Sequence, residues 1–348
     1  VHAGAPVLLD DPPLALTASA QSVAAQSVAA DTLAEAPAPI RALCEALVIE
    51  PPPAIEPAET YARGMPIPWP AKLAAKLVLA RLPLRYATWR RLGLFRHGAT
   101  PTAIEPRIAV FNHHVSVYRG QCGTLPRTII EIGPGDSLAT AILAHAAGAT
   151  ATLIDAGDFA THDMEHYRQV AIASGDAETR TLVETAADRG AMLARLGARY
   201  ETGGVAALAA MHAASVDLIF SNAVLEHLPR DQMPDFFRAS AYALHPNAVA
   251  SHGVDLHDHL GGRLNHWRFS PAVWEHGLFR TSGFYTNRLP FSAYVETARA
   301  CGFSVRIPWL RCWRQPPLST AALHPSLRLR HDGDRWISGF GMIMLRMG

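Results

Sequence analysis

From about residue 128 onward, short apolar runs alternate with longer amphipathic stretches. Residues 128–132 form a strand-like run, 137–147 a helical one and 151–155 a second strand that closes on Asp155. Helical periodicity continues to about 197, and a short strand is expected near 198–201. A strand over 216–221, a helix over 231–244 and a strand over 247–255 follow. After a loop-rich insertion at about 256–290 come a helix at 292–301 and a strand at 303–310. The last strand covers 336–346, where Ile337, Phe340, Met342, Ile343, Met344 and Leu345 are apolar. Strands that take turns with helices predict a doubly wound α/β domain over 125–348 with a mostly parallel sheet.

The first part of the chain has a different texture. Residues 1–60 are rich in Ala, Pro and Ser and hold eight acids against one Arg. They read as a flexible extension with one short amphipathic helix near 40–48. Residues 62–104 contain no acid but carry Arg63, Lys72, Lys76, Arg81, Arg85, Arg90, Arg91 and Arg96. A helix over 72–82 ends at Pro83. Two readings fit residues 61–124. One is a helical cap or lid with solvated arginines; the other is a basic element that touches a membrane surface or an anion.

Bulk properties narrow the function little. The 348 residues carry a net charge of +1, so the whole chain is no evident nucleic-acid binder. No apolar run of about 18 residues predicts a membrane span. Cys44, Cys122, Cys301 and Cys312 show no C-x-x-C spacing, which points to reduced thiols and a cytoplasmic enzyme. No metal site is assigned.

The chemistry begins at Glu131-Ile-Gly133-Pro134-Gly135-Asp136. Glycines between a strand and a helix let backbone approach a ligand, and the acid closing the next strand, Asp155, can accept from a ribose. The third glycine of a dinucleotide fingerprint is missing. A pyrophosphate here would meet Glu131 and Asp136, so a ligand without phosphates, and cationic, fits better. Ligands in such folds lie outside the carboxyl ends of the strands. That rule gathers Gly133, Pro134, Gly135, Asp155, Ala156, Ser221, Asn222 and the stretch from His252 to Asp255 around one crevice.

Glu131-Ile-Gly-Pro-Gly, Leu153-Ile-Asp155 and the run from Asp217 to His227 together resemble class I S-adenosylmethionine-dependent methyltransferases. The resemblance covers about residues 125–310. It implies a seven-stranded sheet that ends in an antiparallel pair, S-adenosyl-L-methionine as cofactor, and methyl transfer to a small-molecule or glycan-like acceptor. Many such enzymes carry an acid after the third strand; here the matching stretch is Tyr200-Glu-Thr-Gly-Gly204. Gly253-Val-Asp-Leu-His-Asp-His-Leu260 and the run from Gly283 to Leu289 look like a subgroup of the same family.

The densest polar cluster is His252, Asp255, His257, Asp258 and His259. A general base oriented by a carboxylate fits it, using His252 or His257 with Asp255 or Asp258. So does a metal site, or a hydrogen-bonded brace for the insertion. The catalytic assignment goes to His252 with Asp255, with His227 as a further candidate at the start of the helix after the fourth strand. His257, Asp258, His259, Tyr285, Asn287 and Arg288 are assigned to the acceptor: a ring to stack, an amide to orient, a fork for an anion. Two rivals remain. An NAD- or nucleotide-sugar-dependent oxidoreductase or epimerase lacks its third glycine and a Tyr-x-x-x-Lys pair. A non-catalytic regulator would have no need of an intact turn and Asp155.

Overall fold

The computed structural model describes residues 36–49, 54–57, 68–79, 103–327 and 329–347. The parallel core is β2 (Thr128–Ile132), β3 (Thr150–Ile154), β4 (Arg199–Glu201), β5 (Val216–Asn222) and β6 (Leu244–Asp255). Successive β2 side chains go to opposite layers, as strand geometry demands: Ile129 to one core, Ile130 and Ile132 to the other. With β1 (Ala54–Pro57), β7 (Phe303–Arg306), β8 (Trp309–Cys312) and β9 (Ile337–Arg346), the nine-stranded sheet runs β1-β8-β9-β6-β5-β2-β3-β4, and β7 also pairs with β9. The chain moves outward from β2 to β3 and β4, then returns to lay β5 on the other side of β2. That reversal opens a crevice at the carboxyl ends of β2 and β5.

Helices cover both faces. On one lie α3 (Glu105–Cys122), α4 (Ala139–Ala146), α5 (Met164–Ser174), α6 (Ala177–Glu184) and α7 (Arg189–Arg195), with Phe111, Val115, Ile142, Leu143 and Tyr167 in the core. On the other lie α1 (Ala38–Ala46), α9 (Met233–Ala243) and α12 (Phe291–Ala300), with Ile40, Leu43, Phe236, Phe237, Tyr294 and Val295. Between β4 and β5 sits the short α8 (Val205–Ala209).

Two expectations about the sheet change. The single strand over 303–310 is two, β7 (Phe303–Arg306) and β8 (Trp309–Cys312), because Pro308 has no N–H to give a ladder. With β1 (Ala54–Pro57) added as well, the sheet has nine strands among the described residues rather than seven. The antiparallel end is present, with β9 (Ile337–Arg346) running against β6, β7 and β8.

The flexible extension over 1–60 also needs revision where it is described. α1 buries Ile40, Leu43 and Cys44, and β1 (Ala54–Pro57) adds to the sheet parallel to β8. Residues 1–35 lie outside the described residues.

Within 61–124, α2 (Trp69–Leu79) packs on the insertion: Leu73 joins Leu260, Trp274, Phe284 and Tyr285 in a separate apolar cluster. α3 is not part of a cap. Its Phe111, His114, Val115 and Tyr118 are buried against the sheet. Residues 80–102, with much of the proposed basic surface, lie outside the described residues. No described helix is long and apolar enough to cross a membrane. All four cysteines are free thiols. The insertion over 256–290 carries two one-turn helices, α10 (Pro271–Trp274) and α11 (Gly277–Arg280).

Candidate functional site

The glycine turn sits at the mouth of the crevice. Gly133 and Gly135 both take positive φ, +70° and +63°, where a Cβ is strained. A side chain at Gly133 would also meet Val224 Cγ2 at 2.5 Å. Asp155 braces this turn: Oδ2 accepts from Gly135 N at 3.1 Å, and Oδ1 accepts from Ala156 N at 2.7 Å. Pro134 is buried. Glu131 lies just below, its carboxyl pushed up to about 7 by desolvation, against the pull of Thr140 and Arg107. Behind the turn, Ser137 and His166 share a 2.7 Å hydrogen bond. From Ala156, Gly203 and Gly204 a groove of about 960 Å³ runs past α8 to Arg238 and Tyr242 on α9. Glu201, the last residue of β4, is exposed beside its start.

The ends of β5 and β6 carry the histidine chemistry, divided by strand alternation. His252 lies on the same face as Ala250 and Val254, with its ring 5.7 Å from Phe236. Its Nδ1 shares a 2.7 Å hydrogen bond with Ser221 Oγ, so Ser221 is turned into the sheet. Burial lowers the His252 pKa to about 3, and the ring is neutral. Asp255 points the other way and pairs with His257. Its Oδ1 accepts from His257 N at 2.9 Å and also from His257 Nδ1. Burial pulls this carboxyl upward, but the hydrogen bonds from His257 hold it below the ordinary carboxylate range. The structure thus brings together Asp255 with His257, and does not bring His252 to Asp255. Asn222 closes β5, and a Cβ on Gly253 would meet its Oδ1 at 2.7 Å. The next residue, Ala223, takes φ +54°, the backbone strain often found beside working sites.

His227 donates from Nδ1 to Tyr285 O at 2.8 Å, and its ring stacks on His259 at 5.0 Å. Among the described residues no group of three His, Cys, Asp or Glu is placed to hold a metal ion. Asp258 organises the insertion, accepting from Leu260 N, Gly261 N and Asn265 N. Asn287 is a brace as well. It donates to Leu225 O and Leu228 O and accepts from Tyr294 OH and Leu289 N. Tyr285 OH donates to Glu275 Oε2 at 2.8 Å. Arg288 is 4% exposed with φ +59°, and donates from Nη1 to Phe269 O at 2.8 Å.

A small void of about 10 Å³ lies among Glu226, Asp255, His266, Trp267, Thr286 and Arg288. Five of these residues carry buried side-chain atoms without a protein hydrogen-bond partner: Glu226 Oε2, His266 Nδ1, Trp267 Nε1, Thr286 Oγ1, and Nε and Nη2 of Arg288. Burial, with Asp255 nearby, pushes the Glu226 carboxyl well above its ordinary value.

Sequence reasoning missed Glu226 in this role, and also Trp267, Thr286 and Arg107. Arg107, on α3, is half-buried near Glu131 and Asp136, and its Nε and Nη2 make no hydrogen bond within the protein. It lies just beyond the acid-free stretch, and nothing local marked it.

The buried neutral histidines make acid stability a readable property. Burial lowers His266 to about 4 and His114 well below the ordinary range. Their stabilisation is complete above the unfolded value of 6.5 and is lost as pH falls toward the folded values, because the unfolded chain then binds more protons. His252 alone is expected to remove about 1.4 kcal/mol per pH unit below 6.5. Urea midpoints should fall steadily from pH 6.5 to 4.5, and less steeply in His252→Gln. Midpoints flat over that window would contradict the burial argument.

No protein-family model matches the chain, and no curated protein matches it. Some solved structures are similar over part of it. One is a candidate O-methyltransferase of Nostoc punctiforme, at 13% identity, 71% of this chain, 58% of that chain and TM-score 0.38. Another is a Burkholderia thailandensis 1,6-didemethyltoxoflavin-N1-methyltransferase, at 15% identity, 84% of this chain, 100% of that chain and TM-score 0.39. A third is a SAM-dependent methyltransferase of Methanosarcina mazei, at 15% identity, 63% of this chain, 92% of that chain and TM-score 0.34. The chain thus spans under two thirds of the Nostoc protein's length. The doubly wound fold stands on the strand order itself.

Proposed function

We propose that the protein transfers a methyl group from S-adenosylmethionine to an oxygen of a small-molecule acceptor. The observation that carries this reading is the glycine turn braced by Asp155 and bordered by acids instead of phosphate-binding donors. Such a site suits a nucleoside whose remaining charge is positive. Asp155 would take the ribose hydroxyls, Glu131 would face a cationic amino group, and the groove beyond Ala156 would receive the base. S-adenosylmethionine, when bound, would supply a methyl group already activated on a sulfonium. What is left for the chain is to align the acceptor, exclude water and take up one proton.

In this reading the base is His257. Its Nδ1–H points at Asp255, which fixes the tautomer and leaves the lone pair on Nε2. Asp255 ends β6, so the pair stands at the carboxyl end of the sheet with the crevice. Ser221 and His252 serve as interior supports for the same strand ends.

Calorimetry with S-adenosylhomocysteine, S-adenosylmethionine and NAD tests the cofactor. Asp155→Ala is expected to weaken S-adenosylhomocysteine binding at least tenfold, since a hydrogen bond to a charged group is worth about 1.5–3 kcal/mol. Binding of NAD in place of S-adenosylhomocysteine, or parental affinity in Asp155→Ala, would overturn the reading.

A further inference from the structure

We infer that the acceptor is a planar aromatic hydroxyl compound whose ring lies on a glycine floor bounded by Asn222, Asp255 and Trp309; the inference rests on the methyl-transfer reading above. Strand register builds the floor. Asn222 of β5 pairs with Gly253 of β6, and Gly253 pairs with Gly341 of β9. Leu310 of β8 pairs with Phe340, which brings Trp309 to Gly341. One row across the sheet is therefore Asn222, Gly253, Gly341 and Trp309. A second row is Asp255, Gly339 and Arg311. On β6, β8 and β9 the two rows are two residues apart, so they share one face. The intervening Val254, Leu310 and Phe340 go to the apolar core on the other face.

Three glycines within two neighbouring strands weaken a sheet, and glycine in a strand often marks the close approach of a ligand or another group. At Gly341 that group is the protein's own indole, since a Cβ would meet Trp309 Nε1 at 2.4 Å. Gly253 and Gly339 differ. The atoms nearest a Cβ on Gly253 are Asn222 Oδ1, Asn222 Cγ and Trp309 Cζ2, at 2.7 to 4.0 Å. Those nearest a Cβ on Gly339 are Val254 O, Trp309 Cζ3 and Arg311 Cβ, at 3.0 to 4.0 Å. The benzo edge of Trp309 thus borders both positions, with Asn222 and Asp255 across from it. A flat ring can settle on exposed peptide planes there. A puckered ring is thicker and is held off.

The border is well held. The Arg311 guanidinium lies 5.3 Å from the centre of the Trp309 ring, a cation–π contact that fixes the indole. Asn222, Asp255, Trp309 and Arg311 are each half-buried, as walls of an open site would be. Asn222 ends β5 and Asp255 ends β6, so the floor reaches the crevice. A hydroxyl on the crevice side of the ring lies beside the Asp255–His257 pair. A phenol ionises only near about pH 10, so it is an acceptor type for which such a base is useful.

The test uses the full chain and two probes by calorimetry: 2-naphthol and its saturated counterpart decahydro-2-naphthol. S-adenosylhomocysteine is titrated into the same samples. 2-Naphthol should bind about tenfold tighter or more. It should also shift the Trp309 indole N–H signal in nuclear magnetic resonance spectra, a signal identified by its loss in Trp309→Phe. Gly339→Ala raises the floor and Trp309→Leu removes its border. Each should weaken 2-naphthol by about fivefold or more with S-adenosylhomocysteine affinity unchanged, while Trp309→Phe stays within about threefold. Circular dichroism checks that each variant folds. Absent 2-naphthol binding, equal affinity for the two probes, an unmoved Trp309 signal, or parental 2-naphthol affinity in folded Gly339→Ala or Trp309→Leu would each overturn the inference. Ring-selective binding without any S-adenosylhomocysteine binding would instead remove the methyl-transfer reading and leave the ring site standing.

Discussion

Replacing His257 with alanine is expected to lower turnover by about 10²–10⁴-fold while cofactor affinity stays within about twofold. The loss follows from removing the nitrogen that takes the acceptor's proton, away from the glycine turn that holds the cofactor. Asp255→Asn should act through the same ring. An amide can turn its own N–H toward Nδ1, which favours the wrong tautomer, so turnover falls with the histidine still present. His252→Gln is the contrasting variant: it touches Ser221 and the core, and should move stability more than turnover. Activity should survive chelators. Steady-state kinetics that give His257→Ala parental turnover would remove the base. A stoichiometric metal together with chelator inactivation would replace it with metal chemistry.

Gly133→Val is expected to abolish S-adenosylhomocysteine binding, a loss of more than about 100-fold. Two effects combine at this position. A β-branched residue at φ +70° is strained by about 1–3 kcal/mol, and the new Cβ would sit 2.5 Å from Val224 Cγ2. Relief requires the turn to move away from β5, which widens the gap the ligand must bridge. The milder Gly133→Ala meets the same neighbour with less bulk and should bind measurably but weakly. Thermal melts accompany both titrations. A folded Gly133→Val that binds like the parent would show that the ligand does not use this turn.

Much of the frame was legible because each central strand announces itself locally. The apolar run of β2 ends in two glycines, and no helix can absorb 128–135 without breaking its own pattern. β1 was hidden because Ala54–Pro57 sits among prolines, and its only reason to be extended is β8, more than 250 residues later. The break between β7 and β8 was written in Pro308, but apolar neighbours on both sides masked it.

The site was legible as a neighbourhood rather than as a set of contacts. Alternation alone puts His252 and Asp255 on opposite faces; Gly253 left a bend conceivable, and the structure keeps the strand straight enough that it does not occur. The short reach from Asp255 to His257 exists because the strand stops at Asp255 and the backbone turns. The void depends on pairs such as Glu226 and Arg288, 62 residues apart, and on no periodicity that a sequence displays.

β1 has a bearing on how the protein is handled. It lies along the outermost margin of the sheet, so the early part of the chain occupies the N–H and C=O groups that β8 would otherwise present. A version cut at residue 58 would keep the crevice yet carry a bare, partly apolar rim, the kind of surface on which a second copy can add its own strand. It would also uncover Phe340 and Ile337, which α1 and β1 help to shelter in a common core. Insolubility of such a shortened protein would therefore report a lost seal rather than a failed catalytic domain, and a purification tag is better joined ahead of residue 36.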